Sequence, residues 1–307
     1  MKALEYDDFG GNDRFRVAER ETPHIGPDTL LVRVVAAGIN PVDYKVREGN
    51  LRGLIDTHLP AVPGWDVAGV VERPGLDTPE FQAGDPILAY ARADVVRHGS
   101  VAEFMPVPVR TATRKPDALP FEKAAALPLT GLTALQALER AGVSEGQTVL
   151  IHGAAGGVGS FGVQLARLRG ARVLGTASAG NHDYLRELGA EPVEYGEGLV
   201  AAVGEIAPDG IDVVVDFAGG SSLDTTDALR REGGTVVSIA DSRAATEFGG
   251  HYVWVRPDAG QLAHLARLAA DGTLRVEVAA TYPLAEAAAA YAELEQGHTR
   301  GKIVVTV

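Results

Sequence analysis

The pattern of apolar and polar positions divides the chain into three parts. In the first part, up to about residue 118, short apolar runs of β type alternate with turns rich in Gly, Asn and Asp; examples are residues 30–36, 67–72 and 86–90. The last part is similar in style and ends in an apolar run at 302–307. We therefore predict that both ends of the chain form one irregular, mostly β domain, with the terminal strand closing on the N-terminal part.

In the middle part, strand-like and helix-like segments alternate. Short apolar runs indicate buried strands, and apolar residues at helical spacing indicate amphipathic helices. The predicted strands are residues 148–152, 171–176, 192–195, 211–217 and 234–239, and the predicted helices are 158–168, 183–188, 199–206 and 223–229. This order predicts an α/β fold with a parallel sheet covered by helices on both faces.

Composition and charge narrow the possible functions. The formal net charge is −13, and so acidic a surface repels phosphate backbones, so we expect no nucleic-acid partner. The chain contains no cysteine, which excludes disulfides, thiolate nucleophiles and cysteine-ligated metals. No apolar run approaches the roughly 18–20 residues of a membrane-spanning helix, and the N-terminus resembles neither a secretory signal nor a transit peptide. We therefore expect no membrane partner and a cytoplasmic location.

A glycine-rich turn follows the first predicted strand of the middle part and opens a helix. In Ala154–Gly159, Gly156 and Gly159 occupy the second and third glycine positions of the G-x-G-x-x-G dinucleotide fingerprint, and Ala154 replaces the first. Glycine at the middle position lets a pyrophosphate approach the backbone, and the helix N-terminus supplies free N–H groups. A glycine turn can also merely reverse the chain, but the strand before it and the helix after it favour dinucleotide binding.

The end of the second strand of the middle part bears on the choice of dinucleotide. An NAD-specific site carries an acidic residue about 20 residues after the glycines, which bonds the ribose 2′-hydroxyl. Here the strand ends in Gly175–Ser178 without a carboxylate, so a 2′-phosphate is not repelled. Ser178 and Asn181 could donate hydrogen bonds to it, although the same residues could simply form a polar turn that caps a helix. No Arg or Lys lies in this loop to pair with a 2′-phosphate, but the missing carboxylate leads us to predict NADPH as the cofactor.

Seven segments in a characteristic order extend over nearly the whole chain: Ala37–Asp43, Pro63–Val71, Ala83–Asp85, Leu127–Ala134, His152–Gly159, Leu188–Ala190 and Arg300–Val304. Together they resemble the medium-chain dehydrogenase/reductases, specifically the zinc-free, zeta-crystallin-like quinone oxidoreductases. The resemblance implies a Rossmann domain with a doubly wound parallel sheet (121–271) inserted into a GroES-like, β-rich substrate domain (1–120 plus 272–307). It also implies a homodimer formed through the apolar segment His251–Val255, although this segment could instead be buried within one chain.

The implied activity is the NADPH-dependent, zinc-independent reduction of a quinone or an α,β-unsaturated carbonyl by hydride transfer. Asn40 lies near the position of the first zinc-binding cysteine of the zinc-dependent relatives, and Gly64–Asp66 occupies their His-Glu stretch, so no metal is expected. Two alternatives stay open: an NADPH-binding, crystallin-like protein with little turnover, and an enoyl-thioester reductase. The second is weakened because residues 48–53 lack the tyrosine of a Gly-x-Tyr-Pro-like segment.

The resemblance also assigns roles to individual residues. Asn40 is expected beside the nicotinamide as a catalytic and cofactor-binding residue, and Tyr44 could replace the missing proton donor, although it could equally pack beneath its loop. The expected cofactor contacts, from pyrophosphate to carboxamide, are Thr130, Gly156, Gly157, Val158, Ser178, Asn181, Tyr195, Ala218, Gly219, Ile239, Ala240 and Val255. Residues 44–58 and 92–100 are expected to line the acceptor pocket.

Overall fold

A computed structural model describes all of residues 1–307. The strands are β1 (Lys2–Glu5), β2 (Arg16–Glu19), β3 (Thr29–Gly38), β4 (Asp56–Thr57), β5 (Asp66–Arg73), β6 (Pro86–Tyr90), β7 (Val95–Val96), β8 (Phe104–Pro108), β9 (Ala112–Arg114), β10 (Thr148–His152), β11 (Arg172–Ala177), β12 (Glu191–Glu194), β13 (Ile211–Asp216), β14 (Arg230–Ser238), β15 (His251–Tyr252), β16 (Val278–Pro283) and β17 (Lys302–Thr306). The α-helices are α1 (Pro41–Arg47), α2 (Phe121–Ala126), α3 (Pro128–Arg140), α4 (Gly157–Leu168), α5 (His182–Glu187), α6 (Leu199–Ile206), α7 (Thr226–Leu229), α8 (Arg243–Thr246), α9 (Ala259–Ala270) and α10 (Ala287–Glu295).

The chain divides into two compact units, and the first contains both of its ends. The first unit comprises Met1–Leu129 and Pro257–Val307, and the second comprises Thr130–Arg256. These bounds differ from the predicted division at 121 and 271. The difference arises because α2 packs against β3 and β5, and α9 packs against β9, so both helices belong to the first unit. An apolar helical stripe shows that a helix is buried, but it does not show which sheet it covers.

The main sheet of the first unit has the strand order β16-β17-β3-β5-β6-β9, with β8 also paired to β3. All neighbours are antiparallel except β16 and β17, which run parallel. The terminal strand β17 pairs with the end of β3, from Ala36 to Gly38, so the C-terminal strand closes on the main sheet of the N-terminal part, as predicted. Two small sheets, β1-β2 and β4-β7, complete the unit.

The second unit contains a parallel sheet of six strands in the order β12-β11-β10-β13-β14-β15. The chain runs outward from β10 to β12 on one side and then returns to continue from β13 to β15 on the other. The doubly wound sheet predicted from the alternating segments is confirmed. Every residue of β13 is buried, as expected for a central strand covered on both faces. Ligands of such sheets bind beyond the carboxyl ends of the strands, where the strand order reverses.

None of the helices combines the length and the apolar character that a membrane-spanning segment requires. The cytoplasmic location stays a prediction.

Candidate functional site

The predicted cofactor residues of the second unit lie mostly at one edge of its sheet. The glycine turn follows β10, Ser178 follows β11 and Tyr195 follows β12. Two further predicted pairs, Ala218–Gly219 and Ile239–Ala240, follow β13 and β14. Because parallel strands end at the same edge of a sheet, the topology brings these residues to the side where ligands of doubly wound sheets bind.

The glycine turn has the geometry of an anion site. Gly156 immediately precedes α4, and the first helical hydrogen bond is donated by the Ser160 N–H to the Gly156 carbonyl over 3.0 Å. The N–H groups of residues 157–159 therefore have no partner inside the helix. A Cβ atom on Gly159 would lie 2.1 Å from the Gly153 carbonyl oxygen and 2.6 Å from Ala154 Cα, so only glycine lets the helix begin this close to the turn. Residues 156–158 are partly exposed, and the turn can accept a pyrophosphate.

The loop after β11 offers neutral donors. The Asn181 side-chain amide donates to Ser178 Oγ over 3.2 Å, and both residues are partly exposed. Since Ser178 Oγ accepts this bond, its own hydrogen stays available to a ligand. The nearby Arg186 already pairs with Asp183 at 2.6 Å. Tyr195, beyond β12, is 62% exposed, so packing does not explain its position.

Val255, the predicted carboxamide partner, lies in a segment fixed by a side chain that sequence reasoning missed. The side-chain amide of Gln136, on α3, forms two hydrogen bonds with the backbone of Arg256, the residue after Val255. Its Oε1 accepts from the Arg256 N–H over 3.0 Å, and its Nε2 donates to the Arg256 carbonyl over 2.9 Å. Val255 itself is buried. Thr130, at the other end of the predicted cofactor contacts, is buried in the first turn of α3.

In the first unit, Asn40 forms the centre of a buried polar network. Its side chain is fully buried, and both polar atoms of the amide are engaged. Lys302 Nζ donates to Asn40 Oδ1 over 2.6 Å, and Asn40 Nδ2 donates to Asp66 Oδ2 over 2.9 Å. The Asn40 amide therefore bridges the lysine and the carboxylate, and the two hydrogen bonds fix the orientation of the amide. The family resemblance predicts Asn40 beside the nicotinamide; in the structure its amide is enclosed by protein groups, and a direct catalytic role stays a prediction.

A second carboxylate extends this network. Asp43 Oδ2 accepts from the Asn40 backbone N–H over 2.9 Å and from the Tyr291 hydroxyl over 3.0 Å. The other oxygen of Asp66, Oδ1, accepts from the Leu129 N–H over 2.9 Å. These bonds brace the fold, because Asp43 ties α1 to α10 and Asp66 ties Asn40, at the start of α1, to the start of α3.

Burial shifts the pKa values of the two carboxyl groups and the lysine of this network. Burial raises the pKa of Asp43 to about 7, against the lowering effect of its hydrogen bond from Asn40. Burial also raises the pKa of Asp66 to about 6, although the charge of Lys302 opposes the shift. For Lys302, burial lowers the pKa, and the two carboxylates oppose it. The two carboxyl groups of this enclosed site therefore titrate closer to neutral pH than free carboxyl groups, beside a lysine whose pKa is lowered.

Tyr44 lies in the middle of α1, where it is partly buried. Burial raises its pKa, and the carboxylates of Glu48 and Glu295 add to the effect. The phenol therefore stays protonated at neutral pH, which a proton donor requires. The helix itself is held by Arg47, which is fully buried and donates to the Gly10 carbonyl over 3.0 Å.

The two segments expected to line the acceptor pocket lie side by side. Strand β4, from residues 44–58, pairs with β7, from residues 92–100. The His58 N–H donates to the Val96 carbonyl over 2.9 Å and extends the pairing. Leu54 is 67% exposed, so this paired segment presents an apolar side chain to its surroundings.

Two further points concern what the sequence did and did not indicate. No group of three or more His, Asp or Glu side chains is arranged to hold a metal ion. Sequence reasoning missed Lys302 and Asp216, both of which are charged, fully or almost fully buried residues at the termini of apolar strands. A charged residue inside an apolar run is an available signal, because such groups are buried only with partners.

Comparison with known proteins agrees with this architecture. Residues 26–117 match the family described as alcohol dehydrogenase GroES-like domain, and residues 188–305 match the family described as zinc-binding dehydrogenase. An Arabidopsis thaliana protein named NADPH-dependent alkenal/one oxidoreductase, chloroplastic, is 36% identical over 99% of this chain and 79% of its own length.

Solved structures are similar over the whole chain. The quinone oxidoreductase from Coxiella burnetii is 33% identical with a TM-score of 0.90, covering 100% of this chain and 99% of its own. A mycobacterial protein in complex with NADPH is 28% identical with a TM-score of 0.87, covering 100% of both chains. The predicted GroES-like and Rossmann architecture is therefore confirmed, and the chain belongs to the medium-chain dehydrogenase/reductase family, among oxidoreductases related to the quinone and alkenal/one oxidoreductases.

Proposed function

We propose that this enzyme reduces a quinone or an α,β-unsaturated carbonyl compound with NADPH. The observation that carries the proposal is the donor-lined turn at 156–159, which lies where the strand order of the parallel sheet reverses. The absence of a carboxylate at the end of β11 supports NADPH over NADH. The names of the Arabidopsis and Coxiella relatives support the class of acceptor, and the NADPH complex of the mycobacterial relative supports the cofactor.

When bound, the reduced nicotinamide supplies the hydride, and the protein binds and orients the reactants. The amides at 157–159 hold the pyrophosphate, and Ser178 with Asn181 donates to the 2′-phosphate. A conjugated acceptor is already electrophilic, and this chain has no cysteine to hold a catalytic zinc, so the proposed reaction is zinc-independent. We assign the protonation of the resulting oxyanion to Tyr44, because its phenol carries a proton at neutral pH and it lies on α1, which begins directly after Asn40, at the start of the segment expected to line the acceptor pocket.

The test is a panel of quinones, alkenals, enones and enoyl thioesters, each with NADPH and with NADH, followed by the absorbance of the reduced nicotinamide. Turnover of quinones or enones with a preference for NADPH is expected. Saturated ketones of matched size serve as controls, because they lack the conjugated double bond that makes the proposed substrates electrophilic without a metal ion. NADPH binding without oxidation by any acceptor would favour a binding protein instead, and turnover of enoyl thioesters alone would favour a thioester reductase.

We also propose a homodimer formed through β15. This strand is the edge of the six-stranded sheet, and its outer side has no paired strand. Tyr252 is 42% exposed and the nearby Trp254 is 39% exposed, whereas Val253 and Val255 are buried. Apolar edge strands are normally paired or covered. Sedimentation of the wild type and of Trp254→Arg should show a dimer and a weakened dimer; a monomeric wild type would refute the proposal.

A further inference from the structure

Asp216 is a fully buried carboxylate at the carboxyl end of β13, and it receives four hydrogen bonds. Its Oδ1 accepts from the N–H groups of Ala218 and Gly219 over 2.9 and 2.8 Å and from the Ser222 hydroxyl over 2.6 Å. These three donors belong to the loop that follows β13. A buried carboxylate is costly unless it is well bonded, so this loop is held tightly in one conformation.

The fourth bond connects this loop to the next one. Asp216 Oδ2 accepts from the Ser238 hydroxyl at the end of β14 over 2.6 Å. Ser238 Oγ in turn accepts from the N–H groups of Ala240 and Asp241 over 3.0 and 2.8 Å. One carboxylate therefore shapes the loop after β13 directly and the loop after β14 through a serine.

The two loops are also tied at their outer side. Arg243 donates to Asp241 and to Asp224 over 2.8 Å each, and to the Gly220 carbonyl over 3.1 Å. Asp224 and Gly220 belong to the first loop and Asp241 to the second, so one side chain bridges them. The loops are in close contact as well, because a Cβ atom on Gly219 would lie 2.9 Å from the Ala240 Cβ.

These bonds determine what the loops can offer to a ligand. The N–H groups of residues 217–219 and 239–241 all donate hydrogen bonds within the protein. Those of 218 and 219 donate to Asp216 Oδ1, and those of 240 and 241 donate to Ser238 Oγ. The N–H groups of 217 and 239 donate to the carbonyls of His152 and Asp216. At residues 217–219 and 239–241 the backbone therefore has only acceptors left. In this respect they differ from the glycine turn, whose amides at 157–159 have no partner in their own helix.

We propose that Asp216 and Ser238 are positioning residues that hold both loops in the conformation that binds the dinucleotide. The inference rests on the proposed function, because the ligand is the same NADPH. Asp216 is buried beneath the loops and acts through their backbone without touching the cofactor. At residues 217–219 and 239–241 the preformed loops offer acceptors to ligand groups that donate hydrogen bonds, whereas the glycine turn offers donors to the phosphates.

The test compares NADPH binding by calorimetry in the wild type, Ser238→Ala, Ser238→Thr and Asp212→Asn. Asp212→Asn is the control for a buried polar group lost outside the network: Asp212 lies four residues before Asp216 on β13 and accepts from the Thr148 N–H over 2.7 Å. We expect Ser238→Ala to raise the Kd and the KM for NADPH about tenfold, with kcat changed less than about threefold, because these contacts act on binding equally in the ground and transition states. Ser238→Thr retains the hydroxyl and should recover most of the affinity.

The inference is overturned if Ser238→Ala binds NADPH as tightly as the wild type, or if Asp212→Asn weakens binding to the same extent. A wild type that binds no nucleotide would instead refute the proposed function itself. Amide hydrogen exchange of the wild type gives a second measurement that needs no variant. The amides of 218, 219, 240 and 241 should be protected without nucleotide, and those of 157–159 only with it; equally fast exchange of both groups without nucleotide would also overturn the inference.

Discussion

Replacement of Asn40 should destabilise the protein far more than the loss of one amide suggests. In Asn40→Ala, Lys302 loses its 2.6 Å acceptor and Asp66 loses its 2.9 Å donor, while both stay enclosed. Hydrogen bonds to charged groups contribute about 1.5–3 kcal/mol each, and breaking one side of a buried ionic network costs about 3–5 kcal/mol. We therefore expect the free energy of unfolding to fall by about 3–5 kcal/mol, a large part of the roughly 5–15 kcal/mol that stabilises a typical protein.

Denaturant unfolding followed by tryptophan fluorescence measures this loss, since Trp65 lies in the same unit as Asn40. Asn50→Ala is the matched control. Its amide donates to the Glu48 carboxylate over 2.9 Å at an exposed site, and its removal should change stability by less than about 0.5 kcal/mol. If Asn40→Ala lost less than about 1 kcal/mol, the amide would not be the bridge between lysine and carboxylate, and the reasoning would be refuted.

The same variant separates structural from catalytic effects of Asn40. Turnover is measured per folded molecule, at a temperature well below unfolding, with saturating NADPH. A lower kcat with the Kd for NADPH unchanged within a few-fold is expected if Asn40 orients the reacting groups, because it is then needed for the reaction geometry and not for dinucleotide affinity. Unchanged turnover in the folded fraction would restrict Asn40 to its role in the network.

Three further outcomes follow from the structure. Gly159→Ala should weaken NADPH binding at least tenfold (~1.4 kcal/mol), because its Cβ overlaps the turn backbone at 2.1 Å, whereas Gly204→Ala, with open space around its Cβ, should leave binding unchanged in the same titration. The double variant Ser178→Ala/Asn181→Ala should lower affinity for NADPH about tenfold but not for NADH, measured as the ratio of the two Kd values; equal losses would remove these residues from the 2′-phosphate site. Because the pKa of Asp43 is raised to about 7, the native state holds a proton that the unfolded state releases, so this contribution to stability is lost as pH rises from about 4 to about 7. The side chain of Asp43→Asn does not titrate. Denaturant unfolding should therefore show that the variant's free energy of unfolding, relative to the wild type, is about 1 kcal/mol or more higher at about pH 8 than at about pH 5. The same difference at both pH values would contradict the raised pKa of Asp43.

Some elements marked by a short apolar run or by apolar residues at helical spacing can be predicted to the residue. The strand at 148–152, the helix at 199–206 and the strand at 86–90 have the predicted bounds. Local sequence determines such elements, because apolar spacing selects the face that is buried. The glycine turn can be predicted for a similar reason: its proposed function depends on the backbone of consecutive residues, and Gly156 and Gly159 lie in one short segment.

The parts that sequence did not reveal depend on contacts between distant residues. Lys302 bonds to Asn40 across 262 positions, and Asp216 reaches Ser238 across 22 positions with a helix between them. Each charged residue is anomalous in its apolar strand, which indicates a partner but does not identify it. The fold supplies the partners by placing strand termini next to loops. In each unit, a buried carboxylate at the terminus of a strand fixes a neighbouring segment. Asp66 fixes the start of α1 through Asn40, and Asp216 fixes the loops after β13 and β14. The charged residues inside otherwise apolar strands therefore hold the backbone around the candidate sites in place. Substitutions of these residues should alter ligand binding and turnover as well as stability.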